Sequence, residues 1–308
     1  MWFRGDLRLR DNAALARAAE GGGALVAVFC FDPREFGRHP GGFDRVGPHR
    51  ARFLLECVTA LRAGLRARGG DLLVRVGEPA AVLRDVARRC RATTVMCHRE
   101  VSPAEARAEA EVREALEAEG ARLEVVWGST LHHPEDLPFR LEELPANYPA
   151  FRERVRGVRV REAARALDEL RPPPTGVGLE MGAIPRLEDL GVRPEPPGLP
   201  GAAVPNFPGG EREALGRLRA FAREAVRVTA PAGGAGGAGA RVNFPAQISP
   251  WLAVGCVSPR TVLEAVRAEA ARSGRGRPDW LLPELLWRDF FRFVTFKLSG
   301  PARAPAPA

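Results

Sequence analysis

The sequence predicts an α/β protein in which a doubly wound, Rossmann-like parallel sheet is followed by helices alone. Short, continuously apolar segments recur in the first part of the chain, as is typical of strands covered on both faces. Helical segments alternate with them, which is the chain order of a parallel sheet with crossover helices. We therefore expect an α/β unit over 1–133, a linker over 134–208 and an all-helical unit over 209–308.

The strand and helix signals of the α/β unit follow one another in order. Leu54, Val58, Leu61 and Leu65 form one apolar stripe of a helix. Ser102 is followed by Pro103 and by Glu105, the pattern of a capping box. The predicted strands are 2–4, 24–31, 71–77, 93–98 and 123–128. The predicted helices are 13–20 with Asp11 and Asn12 as capping candidates, 50–68, 79–90 and 102–120.

Prolines crowd the linker, which we expect to run extended over a surface with one short helix within 148–168. Helical character resumes over 211–226 and again over 278–297, with a glycine-rich loop between. Two Ser-Pro pairs, Ser249-Pro250 and Ser258-Pro259, are each expected to begin a helix. A helix start also suits a phosphate, although plain capping explains each pair equally well.

The amino-acid composition limits which binding partners and which cellular compartment are expected for this protein. The chain has 308 residues, 45% apolar content and a net charge of +8, which favours a polyanion such as nucleic acid. Compositional bias explains the charge as well, because Lys297 is the only lysine. Five cysteines without a C-x-x-C pair indicate a reducing compartment, and no histidine has metal-ligand spacing. No segment is long and apolar enough to span a membrane, and no signal peptide is expected.

Two groups of charged residues are candidates for chemistry. Glu100 follows the fourth predicted strand, and ligands of doubly wound sheets lie at the carboxyl ends of strands. An ordinary loop acid is the alternative. Glu284, Arg288 and Arg292 share one face of an otherwise mostly aromatic and aliphatic helix. An exposed ion pair contributes too little to explain this charged stripe, so we expect either a solvent-facing stripe or one lining a cavity for an aromatic, anionic ligand.

Several long segments, in order, resemble the photolyase/cryptochrome family and most closely its cryptochrome DASH branch. The resemblance covers residues 1 to about 298. The segments are WFRGDLRLRDNAAL, FDPREFG, GPHRARFLLECV, WGSTLHHPEDLPF, LPANYPAFRERV, GLEMGAIPRLEDLG, FPGGEREALGRLRAF, SPWLAVGCVSPR and ELLWRDFFRF.

The resemblance implies two chromophores. The α/β unit would carry a 5,10-methenyltetrahydrofolate antenna touched by Glu100, and the helical unit would hold FAD. The segment with Gln247, Ile248 and Ser249 matches the family's FAD-phosphate contacts, and Arg288 matches an arginine beside the flavin.

The resemblance also implies the reaction. Glu284 and Trp287 match residues facing damaged bases. The family uses blue light and reduced FAD to split cyclobutane pyrimidine dimers. The DASH branch prefers single-stranded DNA, in which moving a base out of the stack costs little free energy. A blue-light receptor would use the same flavin site, so the sequence leaves DNA repair and photoreception open. We expect a monomer.

The chain also departs from the family pattern. The family's tyrosine before the phosphate loop is absent, because Tyr148 in the linker is the only tyrosine, and Pro245 and Ala246 replace a Ser/Thr pair. The family continues with further helices beyond this sequence. We therefore expect a fragment of a DASH-type protein; the alternative is a non-catalytic, folate- or nucleic-acid-binding α/β remnant without flavin. The expected location is intracellular, in a chloroplast or mitochondrion if a targeting segment precedes Met1.

Overall fold

The structure is a computed structural model that describes residues 1–39, 41–164, 166–193, 207–227, 244–274, 278 and 280–299. Its centre is a five-stranded, fully parallel sheet of order β3-β2-β1-β4-β5. The five predicted strands are all present, each shorter than or equal to its predicted span. They are β1 Trp2–Phe3, β2 Ala27–Phe31, β3 Leu72–Val76, β4 Thr94–His98 and β5 Arg122–Val126.

Helices cover both faces of the sheet, as the doubly wound prediction requires. Asn12 caps the first helix through its side chain, and Ser102 with Glu105 forms the predicted capping box. One short helix, α2, was not predicted. The helices are α1 Ala13–Glu20, α2 Pro33–Phe36, α3 Pro48–Arg66, α4 Pro79–Cys90 and α5 Pro103–Glu117.

The linker is mostly irregular and lies along the α/β unit. The one α-helix among the described linker residues, α6, covers Tyr148–Arg154, so the helix predicted within 148–168 ends after two turns. Gly157 follows with a φ of 80°, a conformation that does not continue a helix. Farther on, the carbonyl of Met181 accepts a hydrogen bond of 2.8 Å from the amide of Val74 in the edge strand β3. The linker thereby satisfies part of an otherwise open sheet edge.

Four helices lie in the described part of the helical unit, and one of the two Ser-Pro predictions is wrong. Pro250 lies inside α8, so Ser249 does not begin a helix. The helix begins earlier because Pro245, at its second position, already suits a first turn. Ser258 does cap α9, where its Oγ accepts from the amide of Thr261. The helices are α7 Glu211–Ala225, α8 Phe244–Ala253, α9 Pro259–Ser273 and α10 Leu281–Leu298.

Two apolar clusters make up the interior. The smaller one lies between the sheet and α4 and α5, and it includes Leu73, Leu83 and Val112. The larger one covers the other face of the sheet and runs on without a break into α7, α8, α9 and α10, reaching Trp251 and Phe293. This shared core fixes the helical unit against the α/β unit, and their contact surface positions the candidate site.

Candidate functional site

The order of the sheet reverses between β1 and β4, where doubly wound proteins usually bind ligands at the carboxyl ends of the strands. Here the turn between α8 and α9 occupies that position. Gly255 has a φ of 72°, and an added Cβ would lie 2.0 Å from the carbonyl oxygen of Gly5 and 2.6 Å from Cα of Asp6. The amide of Leu7 also donates to the carbonyl of Val254. The crevice is therefore filled by this chain's own backbone.

A buried ion pair fixes the start of α9 to the α/β unit. The Asp11 carboxylate, fully buried, accepts from the Arg260 guanidinium at 2.7 and 3.0 Å. The Ser258 hydroxyl donates to the same carboxylate at 2.5 Å. Asp11 was expected as a capping candidate for α1, and Ser258 as one of two helix starts that would also suit a phosphate. In the structure the anion at this helix start is Asp11 itself.

Glu100 lies at the carboxyl end of β4, as predicted, in contact with the helical unit. Its side chain is 6% exposed, and Oε2 accepts a 2.8 Å hydrogen bond from Arg292 of α10. An added Cβ on Gly5 would come within 2.4 Å of Oε1, so β1 also approaches this carboxylate closely. Burial raises the pKa of Glu100, and the charge of Arg292 opposes the rise. The candidate folate contact thus doubles as an ion pair between the two units.

The charged stripe of α10 divides between two environments. Glu284 is exposed, whereas Arg292 faces the α/β unit, where its Nε donates to the Ser129 hydroxyl at 3.1 Å. Arg288 lies beside it and donates to the carbonyl oxygens of Ser129 at 2.5 Å and Leu252 at 3.4 Å. The shared helical face predicted from the sequence is correct. Its two arginines, however, contact the loop after β5 and the end of α8.

Arg288 carries a charge that the described residues leave without an ion-pair partner. Both of its acceptors are neutral backbone carbonyls. Burial, together with the neighbouring charge of Arg292, lowers the pKa of Arg288 to about 10. The guanidinium is therefore still protonated at neutral pH, in a half-buried position between α8 and the loop after β5. Such a position favours an additional anion.

Asp289 is a structural anchor that the sequence reasoning did not identify. Its fully buried carboxylate accepts the backbone amides of Leu131 at 2.9 Å and His132 at 3.0 Å. Burial raises its pKa to about 6, against the effect of these two amides. The signal was present in the sequence, because Asp289 is the one acid in the middle of a largely apolar helix. Its partners, however, are more than a hundred residues away.

Trp287 and Phe291 make an aromatic surface on the outer face of α10, next to Glu284. Trp287 is 48% exposed and Phe291 is 46% exposed, with their ring centroids 4.9 Å apart. Tyr148 of α6 supports this surface. Its hydroxyl donates to the carbonyl of Pro283 at 2.7 Å, and its ring packs edge-on against Trp287. The two predicted DNA-facing residues therefore lie together on one open face.

The three residues matched to the FAD phosphates lie within α8. Gln247 donates to Glu224 of α7 at 2.9 Å, and Ile248 is fully buried. Ser249 is half-buried, and its hydroxyl makes no hydrogen bond within the described part of the chain. Because α8 begins at Phe244, the backbone amides of Ile248 and Ser249 fall within the helical hydrogen-bond ladder. Among the side chains of Gln247, Ile248 and Ser249, only the Ser249 hydroxyl is a polar group without a hydrogen bond to the described residues.

The described residues form neither a metal site nor a membrane-spanning helix. Within those ranges, no three His, Cys, Asp or Glu side chains are arranged to hold a metal ion. None of the described helices is long and apolar enough to cross a membrane.

Comparisons with known proteins agree with the fold. The family model described as DNA photolyase matches residues 1–173. The chain is 43% identical to the blue-light photoreceptor PHR2 of Arabidopsis thaliana, covering 99% of this chain and 72% of that protein. It is 39% identical to the cryptochrome DASH of Gloeobacter violaceus, covering 96% of this chain and 59% of that protein.

Solved structures give the same result. The cryptochrome of Synechocystis sp. PCC6803 superimposes with a TM-score of 0.83 at 37% identity, over 96% of this chain and 60% of that one. A bacterial class III photolyase from Agrobacterium tumefaciens superimposes with a TM-score of 0.73 at 25% identity. The chain thus spans somewhat over half the length of the DASH relative and the solved structures that it matches.

Proposed function

This chain belongs to the DNA photolyase family, which includes the cryptochromes, and we propose that it is a DASH-type flavoprotein driven by blue light. Its proposed substrate is a cyclobutane pyrimidine dimer in single-stranded DNA. The observation that carries the proposal is the Arg288 guanidinium, a protonated, half-buried cation whose hydrogen bonds go only to neutral carbonyls. Asp289 and Glu100 act on this cation only from a distance, and an anionic cofactor beside it would supply a directly bonded counter-charge.

The groups around Arg288 are suited to a flavin cofactor. The Ser249 hydroxyl has no hydrogen bond among the described residues and lies on α8, whose end Arg288 contacts through Leu252. We therefore assign Arg288, Ser249 and Gln247 to holding FAD, with Ile248 packing behind them. Bound FAD supplies light-driven transfer of a single electron, and the protein supplies placement and electrostatics.

A folate antenna, 5,10-methenyltetrahydrofolate, is assigned to Glu100. Its carboxylate is held in place by Arg292, and Oε1 makes no hydrogen bond to the described residues. A buried carboxylate with one oxygen fixed and one available is suited to accept hydrogen bonds from a ring N–H or amine. In this assignment Arg292 is a positioning residue, because it acts on the antenna through Glu100.

The open face of α10 supports the assignment of DNA as the partner. Trp287 offers a half-exposed ring on which a flipped base can stack, and Glu284 lies one turn away. The net charge of +8 favours contact with phosphates. Photoreception without repair would use the same flavin, and the likeness to a protein named as a blue-light photoreceptor along 99% of the chain favours it as the second candidate.

A third candidate is a folate- or nucleic-acid-binding protein without flavin. The position of Ser249 favours it, because α8 begins upstream and leaves the amides of Ile248 and Ser249 unavailable to a phosphate. Under this candidate the Glu100 site would still be used, and Arg288 would serve only to fasten α10 to the loop after β5.

One pair of measurements separates the three candidates. The absorbance of the purified full chain reports which chromophores it retains, and illumination with thymine-dimer single strands reports repair. A blue flavin band with light-dependent repair is the expected result. A flavin band without repair would leave photoreception. A near-ultraviolet folate band alone, or no chromophore even after incubation with FAD, would overturn the flavoprotein proposal.

A further inference from the structure

A cavity lies beside α10, lined by residues other than Trp287, Arg288 and Glu100. It has a volume of about 690 Å³ and opens between the segment after α6, helix α9 and the start of α10. That volume is in the usual range for small-molecule sites. Most of its wall is aliphatic. The apolar lining residues include Val155, Val158, Leu263, Val266, Leu282 and Leu286.

Positive charge surrounds the cavity. Four arginines line it, and Glu162 is the one acid among its described lining residues. Glu162 is itself 3.7 Å from Arg159, and Arg156 pairs with Glu153 at 2.9 Å. The other two, Arg152 and Arg267, make no ion pair or hydrogen bond within the described ranges, and both are exposed. They lie on different elements, α6 and α9, so the charge faces the cavity from two sides.

His132 is a buried polar residue of the same wall. The side chain is 3% exposed, and its Nδ1 has no hydrogen-bond partner among the described residues. Its backbone is held by Asp289 at 3.0 Å, which fixes its position. Burial lowers the pKa of His132, against the effect of a hydrogen bond with the backbone of Arg159, so the imidazole is neutral at physiological pH and adds no charge to the cavity.

We propose that this cavity binds a small amphipathic organic anion, with an apolar body against the aliphatic wall and a carboxylate, sulfonate or phosphate at the arginines. Single-stranded nucleic acid is a poorer match, because bases bind by stacking and none of the described lining residues is Trp, Tyr or Phe. The site shares no lining residue with the Trp287 surface, with Arg288 or with Glu100.

The proposal is tested on the full chain with two fluorescent probes of one aromatic framework. The first, 8-anilinonaphthalene-1-sulfonate, is anionic, and the second, N-phenyl-1-naphthylamine, is neutral. We expect the sulfonate to bind at least about tenfold more tightly than the neutral amine, because charge-assisted hydrogen bonds are added. Equal affinity for the two probes would overturn the proposal.

Amino-acid substitutions test whether the sulfonate probe binds in this cavity. Arg152→Glu combined with Arg267→Glu is expected to weaken sulfonate binding about tenfold or more. Arg107→Glu, at another exposed arginine without an ion pair or hydrogen bond in the described ranges, is the matched control and should leave binding unchanged. Val158→Trp should also abolish binding by filling the cavity while keeping every charge.

Two results would contradict the assignment. Loss of sulfonate binding in Phe291→Ser, with binding retained in the double arginine variant, would place the probe on the aromatic surface of α10. Displacement of the probe by a short single-stranded oligonucleotide, one equivalent for one, would make the cavity part of a nucleic-acid surface.

Discussion

Three charged residues stabilise the contact surface between the α/β unit and the helical unit. They differ in how much capacity each has left to bind a further ligand. Asp11 is satisfied by Arg260 and Ser258, so it has no capacity for a further ligand. Asp289 is satisfied by two backbone amides but carries no bonded cation. Arg288 has carbonyl partners only, and it is the residue where an anion would add the most.

Arg288→Ala should reduce flavin retention by roughly tenfold to a hundredfold, because it removes a charge-assisted hydrogen bond in a half-buried position. The measurement is the flavin-to-protein ratio of the folded fraction after purification. Arg292→Ala is the control, since it loosens the same helix contact but leaves Arg288 in place. Equal flavin loss in the two variants would mean that Arg288 acts through the fold and does not contact the cofactor.

The raised pKa of Asp289 predicts that the free energy of unfolding depends on pH. Its folded pKa of about 6 lies above the ordinary 3.8 because of burial, so the folded protein binds this proton more tightly than the unfolded chain. The resulting stabilisation, ~3 kcal/mol, is complete below pH 3.8 and is lost as the pH rises through about 6.

The test compares the wild type with Asp289→Asn, which cannot titrate. The free energy of unfolding in urea, measured from about pH 4 to about pH 7, should fall in the wild type relative to the variant across this window. A difference between the two proteins that stays constant with pH would show that Asp289 keeps an ordinary pKa.

At the scale of secondary-structure elements, the same Ser-Pro motif occurs once at the start of a helix and once inside a helix. Ser258 lies at a true helix start because Gly255 and the turn after α8 interrupt the backbone ladder just before it. Ser249 lies inside α8, since a helix can begin upstream and still accommodate Pro250 at a cost. The linker helix α6 is likewise decided by packing, because Phe151 and Tyr148 are its contacts with α10.

Ser258→Ala should lower the free energy of unfolding by about 2 kcal/mol, because it removes a helix cap and a buried hydrogen bond to Asp11. Ser249→Ala, the same change in the same dipeptide, should cost less than about 0.5 kcal/mol. Urea unfolding of both variants provides the measurement. Equal effects would contradict the helix boundaries described above.

At the scale of the whole molecule, the crevice where a doubly wound sheet usually binds a nucleotide is occupied by the chain itself. The α8–α9 turn enters it, the Asp11–Arg260 pair and the Glu100–Arg292 pair flank it, and one apolar core continues across it. The helical unit is thus fastened by the residues that would otherwise form a ligand site. The remaining ligand-binding capacity lies at Oε1 of Glu100, at Arg288, at the outer face of α10 and in the cavity beside α9.

Gly255→Ala tests this arrangement. A methyl group there overlaps the backbone of Gly5 and Asp6, and the left-handed conformation adds strain, so we expect a loss of about 3 kcal/mol or more. Gly274→Ala is the matched control, because Gly274 has a φ of 62° but nothing lies within 4 Å of an added Cβ. It should cost about 1–2 kcal/mol. Similar losses in chemical denaturation would mean that the turn does not enter the crevice.

The sequence by itself determined the alternation of strands and helices, the parallel sheet, the Ser102 capping box and the shared face of Glu284, Arg288 and Arg292. These follow from periodicity and capping, which act over a few neighbouring residues. Only the tertiary structure decided that Ser249 is internal to a helix, that Glu100 pairs with Arg292 and that Asp289 holds a loop. The Glu100–Arg292 partners are 192 residues apart in sequence. Local patterns cannot encode such a contact, because folding of the whole core brings the two charges together.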